Sequence, residues 1–563
     1  MLGAEIIVEV LLEHDIQRIF VYPGGTIAPI LDVAKQRGLD IFCSRHEQGA
    51  GYAALAAARL GQTAQVAMVT SGPGVTNIMT TIADAYYDST PLLLFTGQVG
   101  TADLGSNLAV RQRGFQEVDA VALLSSLTKA QFQVKKIDDL AQVVCKAFHI
   151  AMSDRPGPVL VDLPMDIQRA SLESSVIPEK IPLAIPSLPD VDGVQCLSQW
   201  LAAARQPLII AGQGVLQSGA VTLLRQLVEL TNIPVSHSLL GLGAIASESL
   251  HSLGFHGHTG NQYAGKAIHH ADLVLVIGSR LDVCQTGNQY DDFVPNGRVV
   301  RIDIDSGEVE NCRVHNDLVI YGDAKQVLEI LLARLSTLEM PDLSVWWEKI
   351  RQWQKSYPLV YDSGAGLKPQ AIIEQVDKLT HDKTVVCVTG VGLHQHWVAR
   401  HFSFDFPHRS LLTSGGHGAM GYDLPTAIGA QLHCENCMVL CFVGDGSLQM
   451  NIQELAVVAE LKLPIKIIVL DNHRLGIVSQ FQKLNWQDDP TTGGKWNPDF
   501  AAISRAYGIT AMTISESAAS HAILQQALVE PGPVLVHCII DSQEDIVPML
   551  MAGQTLDKMW PYD

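Results

Sequence analysis

Residues 440–478, LCFVGDGSLQMNIQELAVVAELKLPIKIIVLDNHRLGIV, decide how this chain is built. An apolar run breaks at Gly444-Asp445-Gly446, a segment of helical spacing follows, and a second apolar run closes at Asp471-Asn472. This is a βαβ unit. In a parallel sheet the turns after successive strands open on one carboxyl edge, where ligands of open α/β sheets collect. The spacing therefore predicts Asp445 and Asn472 at one site. A carboxylate beside an amide oxygen is hard-oxygen ligation, suited to Mg²⁺ that completes its shell with water and phosphate oxygens. The flanking glycines let backbone approach a diphosphate, and a helix starting at Ser447 offers free N–H groups to an anion.

Residues 64–98, AQVAMVTSGPGVTNIMTTIADAYYDSTPLLLFTGQ, repeat this design. Strand, Gly72-Pro73-Gly74, helix, Pro91 and strand match strand, Gly444-Asp445-Gly446, helix, Pro464 and strand. Two domains of one ancestry are implied. Only the later copy carries metal ligands, so the earlier has another task. Upstream, a strand at 18–22 enters Pro23-Gly24-Gly25, and another at 41–43 ends at Arg45-His46-Glu47 before an alanine-rich helix that permits close packing. On its own Glu47 reads as a helix-entry acid stabilised by the dipole. Beyond Gln98 the chain is polar and irregular as far as Phe115-Gln116-Glu117, an expected active-site loop. Its Arg111 and Arg113 suit either a substrate carboxylate or plain solvent.

The length of 563 residues allows three or four domains, and 47% apolar with 17% charged residues describes a globular chain. A net charge of −20 argues against nucleic acid or anionic membrane as partners. Residues 3–17, with Glu5, Glu9, Glu13 and Asp15, read as an amphipathic helix rather than a targeting leader, and no run suits a bilayer span; a cytoplasmic protein is expected. Ten cysteines are scattered without a disulfide framework, as for reduced thiols. His433-Cys434-Glu435-Asn436-Cys437 with Cys441 reads as a tight helix-to-strand connection rather than a zinc site. Residues 170–189 shift to Pro, Ser and Glu, a linker; the middle unit holds PLIIAGQGV, DLVLVIGSR and GRVVRIDID, a Rossmann-like pattern. Trp346, Trp347 and Trp353, in a second connection at 339–368, read as core packing. Three doubly wound α/β domains with parallel sheets are expected, at 1–170, 190–338 and 365–563.

GDGS, a βαβ-length gap, then DN with Leu475-Gly476 resembles the thiamine diphosphate signature of acetolactate synthase-like enzymes. The resemblance runs through the whole chain, with its most specific motifs near residues 47, 72, 116, 418, 445 and 472. It implies a pyrimidine-binding first domain, a diphosphate-binding last domain, and a homodimer or homotetramer that shares each site between subunits, with a small regulatory subunit as a further partner. It implies that Asp445, Asn472 and the Arg474 carbonyl hold Mg²⁺. Val391, Gly392, His394, Gly446, Ser447, Leu475 and Gly476 would meet the cofactor, with Pro23, Pro73 and Asn77 from the first domain. The Gly418 carbonyl would accept from the 4′-amino group, with Met420 beneath the rings. Glu47 falls on the catalytic glutamate that donates to pyrimidine N1′. Phe115 and Gln116 match the catalytic loop, and Val478 and Phe481 border the substrate. Arg280 matches the middle domain's GxRxD segment, where the family can hold FAD that does no redox work.

The implied reaction decarboxylates pyruvate and condenses the enamine with a second 2-oxoacid; sibling decarboxylases, oxidases and acyltransferases are the alternatives. A glyoxylate carboligase lacks the glutamate, and a retired scaffold need not keep Glu47, Asp445 and Asn472 together. The chain departs from the family at Met165 for lysine, Leu393 for glutamine, His258-Thr259 for a Met-His pair, Val283-Cys284 after Asp282, and Phe481 for tryptophan.

Overall fold

Among the described residues three six-stranded sheets form, and every strand pairing in them is parallel. The computed structural model describes residues 1–562 except 106–108, 174–176, 183–189, 363, 365, 487–493 and 495. The linker expected at 170–189 and the polar loop between Gln98 and Phe115 lie partly outside the described residues.

The first sheet holds β1 (Arg18–Tyr22), β2 (Asp40–Cys43), β3 (Gln65–Val69), β4 (Leu92–Gln98), β5 (Ala130–Gln133) and β6 (Pro158–Pro164), in the order β2-β1-β3-β4-β6-β5. The middle sheet holds β7 (Pro207–Ala211), β8 (Val235–His237), β9 (Ser252–Phe255), β10 (Leu273–Ile277), β11 (Arg298–Asp303) and β12 (Leu318–Tyr321), ordered β12-β11-β10-β7-β8-β9. The last holds β13 (Val385–Thr389), β14 (Arg409–Leu412), β15 (Met438–Gly444), β16 (Lys466–Asp471), β17 (Thr510–Ile514) and β18 (Val534–Ile539), ordered β14-β13-β15-β16-β18-β17. First and last sheets therefore share one strand order, consistent with the repeated motif. In the first sheet β4 and β6 are buried along their whole length, as is β16 in the last, because helices cover both faces.

The two related domains also pack against each other. Helix Glu47–Gly61, after β2, meets helix Asp423–His433, after β14, and one apolar cluster takes side chains from both. The approach depends on small residues: a Cβ on Gly429 would lie 2.2 Å from the Ala53 carbonyl oxygen. The alanine-rich sequence is what makes this contact possible.

Trp346 and Trp347, in helix Ser344–Ser356, join the core of the middle sheet, and their indole N–H groups donate to Pro207 O (3.0 Å) and Asn232 O (2.8 Å). Buried Trp needs such a partner. Leu550, Leu556 and Met559 return to the same core from the C-terminal segment.

Two local expectations are corrected. Cys434 and Cys437 are disulfide-bonded, with Cα atoms 5.4 Å apart, because the tight turn into β15 brings the two thiols together; the other eight cysteines are free. The helix after β15 begins at Asp445, not Ser447. Among the described residues no helix is long and apolar enough to cross a membrane.

Candidate active site

β15 and β16 are adjacent and in register, Gly444 opposite Leu470, so the turns after them open side by side. Asp445 and Asn472 are both nearly buried there, as is Arg474. The Asn497 amide donates to Asp445 Oδ2 at 2.6 Å and to Asp471 Oδ1 at 2.7 Å, bridging two carboxylates. Burial, and then the Asp471 charge, push Asp445 up to about 6, against the opposing bond from Asn497. Burial is the largest single influence on Asp471 and raises it, but His537 Nε2 at 2.9 Å, the His473 N–H and Asn497 together outweigh it and hold that carboxyl below its usual range. A carboxylate, an amide oxygen and a main-chain carbonyl on two adjacent turns fit a divalent cation that would relieve this crowded negative charge. The Arg474 side chain points away, into an ion pair with Asp545 at 2.5 Å and a bond to the Glu544 carbonyl.

Asp423 organises the loops around this edge. Its carboxylate accepts from the Gly390 N–H, from the Ser447 hydroxyl and from His394 Nε2 at 3.1 Å. The Ser447 hydroxyl is thus committed to Asp423, and it also accepts the Gly421 N–H at 2.9 Å. Gly446 lies under Leu475 and Met420, and Gly476 against Leu393 and Asn472, so a side chain at either glycine would collide. Gly392 is at φ 151° and Gly418 at φ 74°, a left-handed conformation that favours glycine. Gly418 is exposed, with open space where a Cβ would stand. Val478 and Phe481 are three residues apart on helix Gly476–Trp486 and about half exposed, with the Phe481 ring 5.6 Å from that of Trp486.

On the equivalent edge of the first sheet, Glu47 opens its helix and is 5% exposed; Asn77 Nδ2 donates to its Oε2 at 2.9 Å. Pro23 follows β1, and Pro73 opens the helix that carries Asn77. The loop with Phe115 and Gln116 is tied together by Glu117, whose carboxylate accepts from the Gly105, Arg113 and Gly114 amides. Gln116 adopts φ 61° and presses on Gly72, where a Cβ would lie 2.9 Å from Gln116 O. Phe115 is 85% exposed, and Arg111 and Arg113 are exposed as well. Pro23, Glu47, Pro73, Asn77 and Gln116 share this edge. Among the described residues Glu47 makes no hydrogen bond to the last domain.

Arg280 belongs to a third place. It lines a cavity of about 1010 Å³ over the carboxyl ends of β7, β10, β11 and β12, with Gly214, Asp303 and Asp323. His258 and Thr259 line it too, and Thr259 Oγ1 is 2.8 Å from Nδ1 of His396, which burial pushes down to about 3. The cavity runs on to Val391, Gly418 and Ile477 beside the last domain's loops.

Sequence reasoning missed Asp423, Asn497 and His537. Asp423 had a signal, an acid opening a helix just after a glycine-rich loop; Asn497 and His537 had none, since contact depends on the fold.

Residues 1–123 match the thiamine pyrophosphate enzyme N-terminal TPP binding domain, 194–331 the central domain, and 376–538 the C-terminal TPP binding domain. These three matches, laid over the three sheets, define a thiamine diphosphate enzyme. The isozyme 3 large subunit of Escherichia coli acetolactate synthase is 37% identical over 99% of this chain and 98% of its own length. The isozyme 2 large subunit of the same organism is 36% identical over 99% of both, and the mitochondrial acetolactate synthase of Schizosaccharomyces pombe is 36% identical over 99% of this chain and 86% of its own length. The chain belongs to the acetolactate synthase family, as a thiamine diphosphate-dependent carboligase.

Proposed function

We propose that this protein binds thiamine diphosphate through Mg²⁺, decarboxylates pyruvate and joins the two-carbon unit to a second 2-oxoacid. The observation that carries this reading is the pairing of Asp445 and Asn472 on adjacent turns of the last sheet, matched by Glu47 on the same edge of its twin. When bound, thiamine diphosphate supplies a carbon nucleophile for the 2-oxoacid carbonyl and an electron sink for loss of CO₂. Asp445, Asn472 and the Arg474 carbonyl would hold the metal, and the main chain at Gly446 and Gly392 leaves room for the diphosphate. The Gly418 carbonyl would orient the aminopyrimidine, with Met420 below it. Glu47 would hold the proton exchanged with N1′, positioned by Asn77. Phe115, Val478 and Phe481 would exclude water from the reacting carbonyl.

Among the described residues Glu47 and Asp445 are bonded only within their own domains, and Phe115 and the 415–418 stretch are exposed. This supports a homodimer or homotetramer in which the first domain of one subunit covers the last domain of another. The names of the two Escherichia coli relatives as large subunits favour a small regulatory subunit as a further partner. The cavity above β7, β10, β11 and β12 suits a dinucleotide, with Asp303 at a strand end for ribose hydroxyls and Arg280 for phosphate, so FAD is the second cofactor.

The test is purified protein with pyruvate, assayed for CO₂ and acetolactate together, with and without thiamine diphosphate and Mg²⁺. CO₂ and acetolactate should rise together only with both additions, and Asp445→Ala should fail to retain the cofactor. CO₂ without acetolactate would move the assignment to a decarboxylase or oxidase; tight cofactor binding by Asp445→Ala would refute the site.

A further inference from the structure

The first domain also grips the cofactor edge of its own chain, at a point remote from Glu47. Helix Pro73–Tyr87 is capped by Asp88, 1% exposed, whose carboxylate accepts the Gly415 N–H at 2.9 Å and the Gly416 N–H at 2.7 Å. Arg59, on the neighbouring first-domain helix, donates to the Thr413 carbonyl at 2.8 Å and to the Tyr422 hydroxyl at 3.2 Å, with its Nη1 3.6 Å from Asp88 Oδ2. A carboxylate and a guanidinium from one domain thus hold successive main-chain groups of another. Bonds from amides to a buried, charged acceptor belong to the stronger class.

The stretch held this way is otherwise lightly fixed at its far end. Within the last domain Gln395 bonds Thr413 and Ser414, and the Ser414 hydroxyl accepts the Ala419 N–H at 2.9 Å, but residues 415–418 between them are exposed, with the His417 ring stacked on Tyr87 of the first domain at 5.7 Å. Two residues beyond Gly416 stands Gly418, whose carbonyl orients the aminopyrimidine. The main-chain carbonyl of Asp88 meanwhile accepts from Gln213 Nε2 of the middle domain at 2.9 Å, so this one residue touches all three domains.

We propose that Asp88 is a positioning residue: it fixes residues 415–418, and through them the Gly418 carbonyl, for the cofactor on its own chain's last domain, while Glu47 of the same first domain serves the cofactor on a partner's. The proposal rests on the shared-site reading above. Each first domain would then work at two sites, as proton carrier at one and as scaffold at the other.

Mixed dimers of differently tagged chains test it at limiting thiamine diphosphate. If Asp88 acts on its own last domain, a chain carrying both Asp445→Ala and Asp88→Asn, paired with wild type, damages one site only and keeps about half the activity. The same substitutions on opposite chains damage both sites and leave little. The reverse pattern, or equal activity in the two mixtures, overturns the proposal. Glu47→Gln paired with Asp445→Ala tests the shared site separately: half activity sustains that reading, and none refutes it without touching the Asp88 comparison. In the uniform Asp88→Asn protein, equilibrium dialysis should show cofactor affinity weakened about tenfold or more, with kcat restored at saturating cofactor and KM for pyruvate unchanged. If Asp88→Asn does not assemble, Asp88→Glu, which keeps the charge but displaces it, should give a smaller loss of the same kind; wild-type affinity there refutes the role.

Discussion

Asp84→Asn probes a proton stored between the domains. Asp84 is fully buried in helix Pro73–Tyr87, beside the Tyr52 and Ser414 hydroxyls. Burial, and then the Asp88 carboxylate one turn on, raise its pKa from 3.8 to about 8, against the opposing Ser414 hydroxyl and Arg59. The native state therefore keeps a proton that the unfolded chain releases above about pH 4. Because the folded pKa is the higher one, the group's contribution is complete below about pH 4 and is lost as pH rises toward 8, at about 1.4 kcal/mol per unit. At pH 7 the accumulated cost is about 4 kcal/mol. Asparagine keeps the shape with no proton to hold, so the variant should be the more stable, by a margin that grows by about 3 kcal/mol between pH 5.5 and 8. Urea unfolding followed by circular dichroism at the two pH values measures this. Wild-type and variant stabilities that run parallel with pH would refute an Asp84 proton; a variant less stable at both would show that the carboxyl makes bonds the amide cannot replace.

Glu47→Gln should keep the fold and most cofactor affinity while cutting turnover by about 10²-fold or more, the scale of a positioned proton-transfer group; a near-wild-type rate in the pyruvate assay would return Glu47 to a helix-entry acid. Phe481→Trp should raise the share of 2-oxobutyrate product in competition with pyruvate by up to about 1–3 kcal/mol of discrimination, since a larger ring adds apolar contact. An unchanged product ratio would remove Phe481 from the acceptor pocket. Asp303→Ala should release flavin, read from the visible spectrum after gel filtration, with thiamine diphosphate affinity retained. Equal flavin content in variant and wild type would place any flavin elsewhere.

Legibility in the sequence followed contact range. The paired turns at Asp445 and Asn472 and the duplicate turn at Gly72 were readable because a βαβ unit fixes its own spacing, but the strand order the two outer sheets share became visible only in the fold. Glu47 was ambiguous from its surroundings alone, since a helix dipole and a proton relay ask for the same residue. Asn497 and Asp88 were invisible because each acts across a gap of tens to hundreds of residues on groups that no local pattern links to it, and Asp423, though it opens a helix after a glycine-rich loop, gave no sign of the Gly390, His394 and Ser447 it joins. Ser447 misled for the same reason: its hydroxyl looks outward in the motif, while Asp423 draws it inward. The Cys434–Cys437 bond was missed because scattered thiols say nothing of pairing until a turn brings two together.

The outer domains share a strand order, and each offers the helix after its edge strand to the other. A chain of this kind carries an approximate twofold axis inside itself, much like two subunits of a symmetric dimer joined end to end. Their order along the gene is then a matter of linkers and not of packing. A circular permutant that starts at the last domain and finishes with the first would present the same helices to each other, provided a new joint spans the gap. The middle domain, inserted between them, is the piece whose cavity such a rearrangement would put at risk, because Asp88 and Gln213 meet there.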